Sequence, residues 1–391
     1  MEDFYRIRRM PPYVFAEVNG MKAAARAQGV DIVDLGMGNP DGSPPAHVID
    51  KLAEVARNPR AHRYSASKGI SGLRKAQAAY YQRRFGVDVD PEGEVVVTLG
   101  SKEGLANLAQ AITAPGDVVL APNPSYPIHQ FGFIIAGAAI RSIPAAPGPD
   151  FFTRLEMAMR YTVPKPSVLV IGYPSNPTAY VADLAFYEQV VAFAREHKLW
   201  VISDLAYAEI YFGETPTPSI LQVADAKDVA IEFTSMSKTY SMAGWRMGFA
   251  VGNRTLINAL TRVKSYLDYG AFTPIQAAAT AALNGPQDII EANRALYKSR
   301  RDCLVASFAR AGWDIPSPTA SMFAWAPIPE AFRHLGSVEF SKRLLAEAHV
   351  AVAPGVGFGE EGEGFVRIAL VENEQRLRQA ARNVKKFLAS G

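Results

Sequence analysis

The stretch with the clearest capacity for chemistry surrounds Lys238. Hydroxyl residues lie on both sides of this lysine, at Ser235, Ser237 and Thr239. Arg246 follows eight residues later. Small hydroxylated residues leave room for a phosphate ester close to the backbone, and an arginine adds a planar, bidentate partner for it. Because a lysine amine forms a Schiff base with an aldehyde, the stretch predicts a site for a phosphorylated aldehyde with Lys238 as its covalent anchor.

A second phosphate signal lies at residues 100–102. Ser101 and Lys102 follow Gly100 at the junction between a predicted strand and a predicted helix. The first N–H groups of a helix have no partner within the helix, and the helix dipole is positive there, so this junction favours a phosphate. In isolation, Ser101 is equally compatible with an ordinary helix cap.

The lysine stretch continues into Ala-Gly-Trp-Arg-Met-Gly, and with this continuation it resembles the cofactor-lysine motif of fold-type I aminotransferases of class I/II. Members of this family bind pyridoxal 5'-phosphate. The resemblance extends from about residue 10 to residue 388, because the other family motifs follow in the same order. The residues that it assigns to the phosphate end of the cofactor are Ser101, Lys102, Ser235, Ser237 and Arg246.

The resemblance also assigns residues to the cofactor ring. Asp204 ends a predicted strand, and a carboxylate there pairs with the ring nitrogen and keeps the ring positively charged. Asn176, in an Asn-Pro turn, and Tyr207 match two donors to the phenolic oxygen, which lower the pKa of the lysine linkage. Tyr126 matches an aromatic residue that stacks on the ring. Lys238, Asp204 and Tyr207 are the expected catalytic residues.

Substrate binding is expected around Arg367, which lies within an otherwise apolar predicted strand. A buried arginine needs a partner, and the family uses one here to bind the α-carboxylate of the substrate bidentately. A structural salt bridge is the alternative. The resemblance places Gly38 and Asn176 beside the same carboxylate. Tyr13 is expected to close the site, on its position alone.

Tyr64 resembles a tyrosine that reaches the cofactor phosphate of the neighbouring subunit. This match implies a homodimer with shared active sites. It also implies that a single chain does not contain a complete site.

The elements that position these residues are predicted by hydrophobic patterning. Apolar strands alternate with helices in the first part of the chain, which indicates an α/β fold with a mostly parallel sheet of the seven-stranded type, covered on both faces. Ligands bind beyond the carboxyl ends of such strands. The predicted strands are 94–99, 118–121, 168–171, 200–204 and 229–233, and the helices between or before them are 18–28, 47–57, 72–85, 102–112 and 184–197.

After residue 252 the pattern changes to that of a smaller α+β domain. The predicted helices there are 254–267, 274–283, 288–311, 338–348 and 373–388, and the short strands are 323–325, 350–353 and 365–369. We therefore expect an N-terminal arm with a small-domain segment over 1–45, a large cofactor domain over 46–285 and a small domain over 286–391.

Composition excludes several classes of protein. Of 391 residues, 49% are hydrophobic and 20% are charged, and the formal net charge of +3 favours no nucleic-acid partner. One cysteine, Cys303, suits a reducing compartment. We recognise no signal peptide and no membrane-spanning run, and we expect a cytoplasmic enzyme without membrane contact. The six histidines are dispersed, which predicts no metal site.

The resemblance implies transamination in two half-reactions, in which an amino acid leaves as a 2-oxo acid and a second 2-oxo acid then receives the amino group. Motifs at residues 11–15, 37–42, 100–105 and 264–270 resemble those of bacterial glutamate–pyruvate (alanine) aminotransferases. Aspartate aminotransferase, LL-diaminopimelate aminotransferase and cysteine-conjugate β-lyase stay open as alternatives. A transcription regulator with an aminotransferase-like domain would carry a DNA-binding domain, and a dinucleotide oxidoreductase would carry a Gly-rich fingerprint. We expect neither.

Recognition of glutamate requires a partner for its second carboxylate. Enzymes dedicated to dicarboxylates usually hold a second arginine there, but residues 266–270 contain none. An aspartate in this segment, Asp268, would repel a second carboxylate if it faced the site. We therefore expect alanine and glutamate as the substrates. Tyrosine hydroxyls, backbone N–H groups or Lys68 are the candidate partners for the distal carboxylate.

Overall fold

The computed structural model describes residues 4–11 and 14–389. The strands are β1 Val33–Asp34, β2 Val95–Thr98, β3 Val118–Asn123, β4 Ala139–Pro144, β5 Val168–Ile171, β6 Trp200–Asp204, β7 Ala230–Ser235, β8 Gly248–Gly252, β9 Phe323–Pro327, β10 Val350–Ala351, β11 Ala353–Pro354 and β12 Phe365–Ala369. The α-helices are α1 Tyr5–Arg8, α2 Phe15–Ala27, α3 Ala46–Ala56, α4 Ser71–Phe85, α5 Ser101–Ile112, α6 Ile128–Ala136, α7 Pro149–Tyr161, α8 Leu184–His197, α9 Ala226–Val229, α10 Met236–Thr239, α11 Arg254–Leu267, α12 Thr273–Asn284, α13 Asp288–Arg310, α14 Gly336–Ala348 and α15 Glu374–Ala389. Short 3-10 helices cover Pro59–His62, Ile220–Gln222, Ala243–Trp245, Glu330–Leu335, Gly355–Phe358 and Glu360–Gly362. Within the described residues, no helix combines the length and the apolar character that crossing a membrane requires.

A seven-stranded sheet is the framework of the larger part of the fold, with strand order β2-β8-β7-β6-β5-β3-β4. Strands β3 to β7 pair in parallel with one another, whereas β8 is antiparallel to both β7 and β2. Almost every residue of the inner strands is buried, which is typical of a parallel sheet with helices on both faces. The predicted α/β fold with a mostly parallel sheet is confirmed.

The sequence prediction misses two neighbouring elements, β4 and α7. β4 is one of the two edge strands of the sheet, and its Arg141 and Ser142 are exposed, so it lacks a continuous apolar run. α7 follows a proline-rich segment and buries Phe151, Leu155 and Met159 at intervals of four residues. That spacing is the helical signal that the prediction overlooked.

The strand predicted over 350–353 is divided between two sheets, and this is a correction. β10 pairs in parallel with β1, where Val33 lies opposite Val350. β11 pairs with β12, where Ala353 lies opposite Arg367, and β12 also pairs with β9. Asp34 also belongs to β1, a strand that the hydrophobic patterning did not predict. Two-residue strands carry no periodic pattern that would reveal them.

Separate hydrophobic cores lie around the large sheet and around the C-terminal strands. Helices pack on both faces of the large sheet. The C-terminal core contains Trp313 and Phe340, and it also includes Val33 and Leu35 from the N-terminal part of the chain. We propose the domain boundaries near residues 45 and 286 on this arrangement, with α13 as the long helix that begins the small domain.

A buried carboxyl group fixes β7, the strand that leads to Lys238. Glu232 accepts hydrogen bonds from the Tyr81 hydroxyl at 2.9 Å, the Ser203 hydroxyl at 3.0 Å and the Ile220 N–H at 3.2 Å, as well as one from Ser219. Burial raises the pKa of Glu232 from 4.5 to about 7, although these four donors oppose the shift. The network joins β7 to β6, to α4 and to the segment after residue 218.

Candidate active site

The residues predicted for the site gather beyond the carboxyl ends of four strands. Ser101 follows β2, Asn176 follows β5, Asp204 ends β6 and Lys238 follows β7. β2 has the same direction as β7, because both are antiparallel to β8 between them. The four side chains therefore start from the same edge of the sheet, which is where ligands bind in open α/β sheets.

Lys238 lies in the short helix α10. The side chain of Ser235 caps this helix by accepting a hydrogen bond from the Ser237 N–H at 3.1 Å. The Lys238 amine donates to the Gly38 carbonyl oxygen at 2.7 Å. A Cβ atom at Gly38 would lie 2.4 Å from the Phe323 ring. Only glycine therefore lets the chain pass between that ring and the amine.

The Lys238 amine has an altered acidity. Its pKa is lowered from 10.5 to about 8 by its burial, and then by the positive charges of Arg367 and Arg246. A neutral amine is the reactive form for attack on an aldehyde. The lowered pKa makes that form available close to neutral pH.

The residues predicted for a phosphate form a cradle around the start of α5. Gly100 has a φ of +87°, and a Cβ atom there would lie 2.1 Å from Nη2 of Arg246. A Cβ atom at Gly248 would lie 2.8 Å from the Ser101 nitrogen. The cradle therefore combines a guanidinium group with the first N–H groups of a helix, and this donor set fits a phosphate. Lys102 is exposed, and its ammonium lies 5.7 Å from the centroid of the Tyr126 ring.

Asp204 has a partner that the sequence prediction did not identify. Its Oδ2 lies 2.9 Å from Nε2 of His129, and its Oδ1 accepts from the Ala206 N–H at 3.3 Å. A Cβ atom at Gly172 would lie 2.9 Å from the His129 ring, so this glycine makes room for the pair. The only sequence signal was a histidine within the apolar helix after Tyr126. The pair holds the buried carboxylate in one orientation.

Asn176, Tyr207 and Arg367 form one hydrogen-bonded group. Nη1 of Arg367 donates to Oδ1 of Asn176 at 2.8 Å, and Nη2 donates to the Gly36 carbonyl oxygen at 2.8 Å. The Asn176 side chain also hydrogen-bonds Tyr207. Burial raises the pKa of Tyr207 well above its ordinary value of 10.0, so the phenol keeps its proton and can donate it in a hydrogen bond.

Aromatic rings fix the plane of Arg367. Its guanidinium carbon lies 4.1 Å from the centroid of the Phe323 ring and 4.7 Å from that of Phe358. Stacking on rings restricts the guanidinium to a narrow set of orientations. Neither phenylalanine was predicted as a site residue, because the spacing of residues in the sequence does not show which side chains contact β12.

The loop that carries Gly36 and Gly38 is held by an ion pair. Arg300, buried on α13, donates to both carboxylate oxygens of Asp41, at 2.8 and 2.6 Å, and also contacts the Leu370 carbonyl oxygen. The hydrogen bonds from Arg300 lower the pKa of Asp41. The sequence prediction did not identify this pair. The Arg300–Asp41 pair therefore positions the loop whose Gly38 and Gly36 carbonyl oxygens accept from Lys238 and Arg367.

Among the predicted site residues with described coordinates, Tyr64 lies apart from this group, whereas Tyr126 borders it. Tyr64 is 85% exposed, and its ring lies 4.6 Å from that of Tyr269, which is 62% exposed. Tyr126 is half-buried, with its ring centroid 6.0 Å from that of His129. Tyr13 lies outside the described residues.

The two charged side chains considered near a distal carboxylate, Lys68 and Asp268, have partners elsewhere. The Lys68 ammonium donates to the Glu92 carbonyl oxygen and lies 3.9 Å from the Glu92 carboxylate. Asp268 accepts from Lys264 at 2.8 Å. Among the residues with described coordinates, no three His, Cys, Asp or Glu side chains converge in a way that could hold a metal ion.

Known proteins resemble this chain over almost its whole length. AatC of Rhizobium meliloti strain 1021 is 66% identical over 390 residues, which cover 100% of this chain and 96% of AatC. The glutamate-pyruvate aminotransferase AlaC of Escherichia coli K12 is 53% identical over 389 residues, covering 99% and 94%. An LL-diaminopimelate aminotransferase of Moorella thermoacetica is 43% identical over 388 residues, covering 99% of each chain.

A solved structure shares the fold. The structure of BacF from Bacillus subtilis superimposes with a TM-score of 0.91 at 36% identity, covering 99% of this chain and 98% of BacF. The family model described as "Aminotransferase class I and II" matches residues 30–384. The chain therefore belongs to the class I and II aminotransferases, enzymes of fold type I that use pyridoxal 5'-phosphate.

Proposed function

We propose that this aminotransferase works in the cytoplasm and exchanges amino groups between alanine or glutamate and their 2-oxo acids, pyruvate and 2-oxoglutarate. The two half-reactions use one site in turn, in a ping-pong mechanism. The observation that carries the proposal is the arrangement of one enclosed amine, Lys238, near one ring-stacked guanidinium, Arg367. The compartment rests on the single cysteine, Cys303.

Pyridoxal phosphate, when bound, supplies an electron sink for the negative charge that develops on the substrate α-carbon. We assign its phosphate to the cradle of Arg246, the N–H groups at the start of α5, and Ser235 and Ser237. Asp204, oriented by His129, would face the ring nitrogen. The remaining residues that we assign to the cofactor are Tyr126, which would stack on the ring, and Asn176 and Tyr207, which would donate to the phenolic oxygen.

Lys238 moves the proton in this proposal. Its amine takes the proton from the substrate α-carbon and returns a proton at the end of the half-reaction. A pKa of about 8 leaves a substantial neutral fraction for this role at slightly alkaline pH. The Gly38 carbonyl oxygen, which already accepts from the amine, gives the released lysine a defined position beside the substrate.

Arg367 orients the substrate. Its guanidinium would bind the α-carboxylate with the geometry that the two rings and Asn176 impose. A fixed carboxylate places the Cα–H bond toward Lys238, and such orientation supplies much of the rate enhancement in a reaction between bound groups. The apolar rings of Phe323 and Phe358, which lie against the guanidinium, would limit the access of water to this end of the site.

We also propose that the enzyme is a homodimer in which Tyr64 reaches the cofactor phosphate of the partner subunit. Tyr64 and Tyr269 form a ring pair at the surface, and Tyr266 and Leu267 beside them are also exposed. An exposed apolar patch of this kind marks a contact surface. A second copy of the chain would cover it, and each site would contain residues from both chains.

The preference for alanine rests on what surrounds the distal end of the substrate. Residues 266–270 contain no arginine, the charge of Asp268 is paired with Lys264, and the Lys68 ammonium is directed to Glu92. A second carboxylate would therefore meet neutral donors, which suits acceptance of glutamate without strong selection for it. LL-diaminopimelate aminotransferase remains the second candidate, because relatives with that name are 43% identical.

Arg367→Ala should raise the KM for both the amino acid and the 2-oxo acid by roughly tenfold or more, since a hydrogen bond to a charged group contributes about 1.5–3 kcal/mol. It should also raise the pKa of Lys238, because a neighbouring positive charge is removed. Steady-state kinetics and the pH dependence of cofactor attachment measure the two effects. Arg367→Lys is the matched control, since it keeps the positive charge but cannot bind a carboxylate with the planar, bidentate geometry of a guanidinium. An unchanged KM for both substrates in the alanine variant would reject the assignment.

Mixed dimers test the shared site. Subunits with Lys238→Ala and subunits with Tyr64→Ala, carrying different tags, are co-expressed and the heterodimer is purified. One of its two sites then combines an intact Lys238 with an intact Tyr64, so the heterodimer should regain activity that both homodimers lack. A heterodimer of Lys238→Ala and wild-type subunits sets the expected level. No recovery in a verified heterodimer would show that Tyr64 does not act across the interface.

Substrate preference is tested by kcat/KM for alanine, glutamate, aspartate, an aromatic amino acid and LL-diaminopimelate, with one common acceptor. Alanine and glutamate should give the highest values. Parallel assays for pyruvate and ammonia release separate transamination from β-elimination. Aspartate or LL-diaminopimelate exceeding alanine by more than about tenfold, which corresponds to about 1.4 kcal/mol in transition-state binding, would overturn the substrate assignment and leave fold and cofactor intact.

A further inference from the structure

The side chain of Lys264, in the last turn of α11, is fully buried, with 0% of its surface exposed. Its ammonium donates to Oε1 of Glu103 at 3.1 Å and to Oδ2 of Asp268 at 2.8 Å. A buried charge is costly unless it is paired and hydrogen-bonded. The two carboxylates therefore stabilise the buried ammonium. Through them, Lys264 joins two segments that are distant in the sequence.

Glu103 connects this lysine to the phosphate cradle. Its Oε2 accepts from the Leu99 N–H at 2.9 Å, and its Oε1 also accepts from Asn107 at 2.5 Å. Leu99 comes directly before Gly100 and Ser101, which form the cradle. The position of the Glu103 carboxylate thus sets the path of the chain into the cradle.

Asp268 connects the same lysine to the surface. Its Oδ1 accepts from the Gly270 N–H at 2.6 Å, and its carbonyl oxygen accepts from the Ser67 hydroxyl. Gly270 has a φ of +79°, and a Cβ atom there would lie 2.1 Å from the Ala66 carbonyl oxygen. The segments 64–69 and 266–270 are consequently fixed against each other.

Those two segments carry the exposed aromatic pair. Tyr64 comes from the first and Tyr269 from the second, with their ring centroids 4.6 Å apart. One ammonium thus connects the phosphate cradle of this chain with the pair that, in the dimer proposed above, enters the partner's site.

We propose that Lys264 is a positioning residue that couples the two active sites of the dimer. It fixes the phosphate cradle of its own subunit relative to the Tyr64–Tyr269 pair, which faces the partner subunit. Removing the ammonium leaves the carboxylates of Glu103 and Asp268 close together without a counter-charge, and their repulsion moves both segments. Because coupling between sites is reciprocal, cofactor binding and dimer stability change together. The inference rests on the proposed dimer with shared sites.

The first test compares Lys264→Met with Lys22→Met. Lys22 is also a buried lysine in an ion pair, at 2.7 Å from Asp34, but it lies on α2, outside the residue ranges 64–69 and 266–270. Both variants should lose thermal stability. Only Lys264→Met should raise the dissociation constant of pyridoxal phosphate and of the dimer, by roughly threefold to thirtyfold, as measured by cofactor titration and sedimentation. Equal cofactor and dimer constants in the two variants would overturn the proposal.

If Lys264→Met does not fold, Asp268→Asn is used for the same measurements. It keeps the Lys264–Glu103 pair and weakens only the hold on the aromatic segment. The dimer constant should then rise more than the cofactor constant. The opposite order would contradict the assigned connections.

The second test uses a heterodimer with one active site, in which one subunit carries Lys238→Ala. Lys264→Met on the Lys238→Ala subunit should impair the single remaining site by loosening the tyrosine pair that enters it. The same change on the other subunit should instead weaken cofactor retention at that site. No effect from the Lys238→Ala subunit would overturn the coupling. If Tyr64 mixed dimers recover activity while this effect is absent, the coupling alone fails; if they do not recover, the shared site itself fails.

Discussion

The enclosure of the Lys238 amine near two guanidinium groups is the constraint on which the site depends. Burial and the charges of Arg367 and Arg246 both disfavour an ammonium there, which lowers its pKa to about 8. An amine in such a place is unfavourable for stability, and the surrounding structure must hold it. β7 is anchored by the buried Glu232 network, and the loop that offers the Gly38 carbonyl oxygen is anchored by Asp41 and Arg300.

The site is assembled from both hydrophobic cores. Lys238 and Asp204 extend from the large sheet, whereas Arg367 lies on β12 of the small C-terminal sheet. Asn176 connects the two, since it follows β5 and accepts a hydrogen bond from Arg367. The relative position of the cores thus determines the distance between the Lys238 amine and the Arg367 guanidinium. A change in core packing far from the site would change that distance.

The sequence was informative wherever chemistry is local. Lys238 with its hydroxyl neighbours, Gly100 with Ser101, and Asp204 with Tyr207 are short motifs at strand ends, and strands such as Val168–Ile171 are continuous apolar runs that burial on both faces produces. The antiparallel direction of β8 was not predictable, because its short apolar run does not indicate a direction, and the edge strand β4 has no continuous apolar run.

Long-range partners could not be predicted from the sequence. Arg300 and Asp41 are 259 residues apart, and Lys264 and Glu103 are 161 apart, so their pairing follows from the finished fold. His129 is a similar case, since nothing in its helix indicates a carboxylate 75 residues away. These contacts do not carry the reaction themselves. They orient the residues that we propose for the reaction, and spacing along the chain does not show them because their partners are distant in the sequence.

The account's central claim, that Lys238 is the covalent anchor, is tested most directly by reducing the cofactor-loaded enzyme with borohydride and mapping the modified peptide. Reduction fixes the cofactor on the amine that holds it. The account predicts the adduct on the peptide that contains Lys238, and no fixation in a Lys238→Ala variant treated in parallel. An adduct on Lys102 or Lys264, with Lys238 unmodified, would contradict the account.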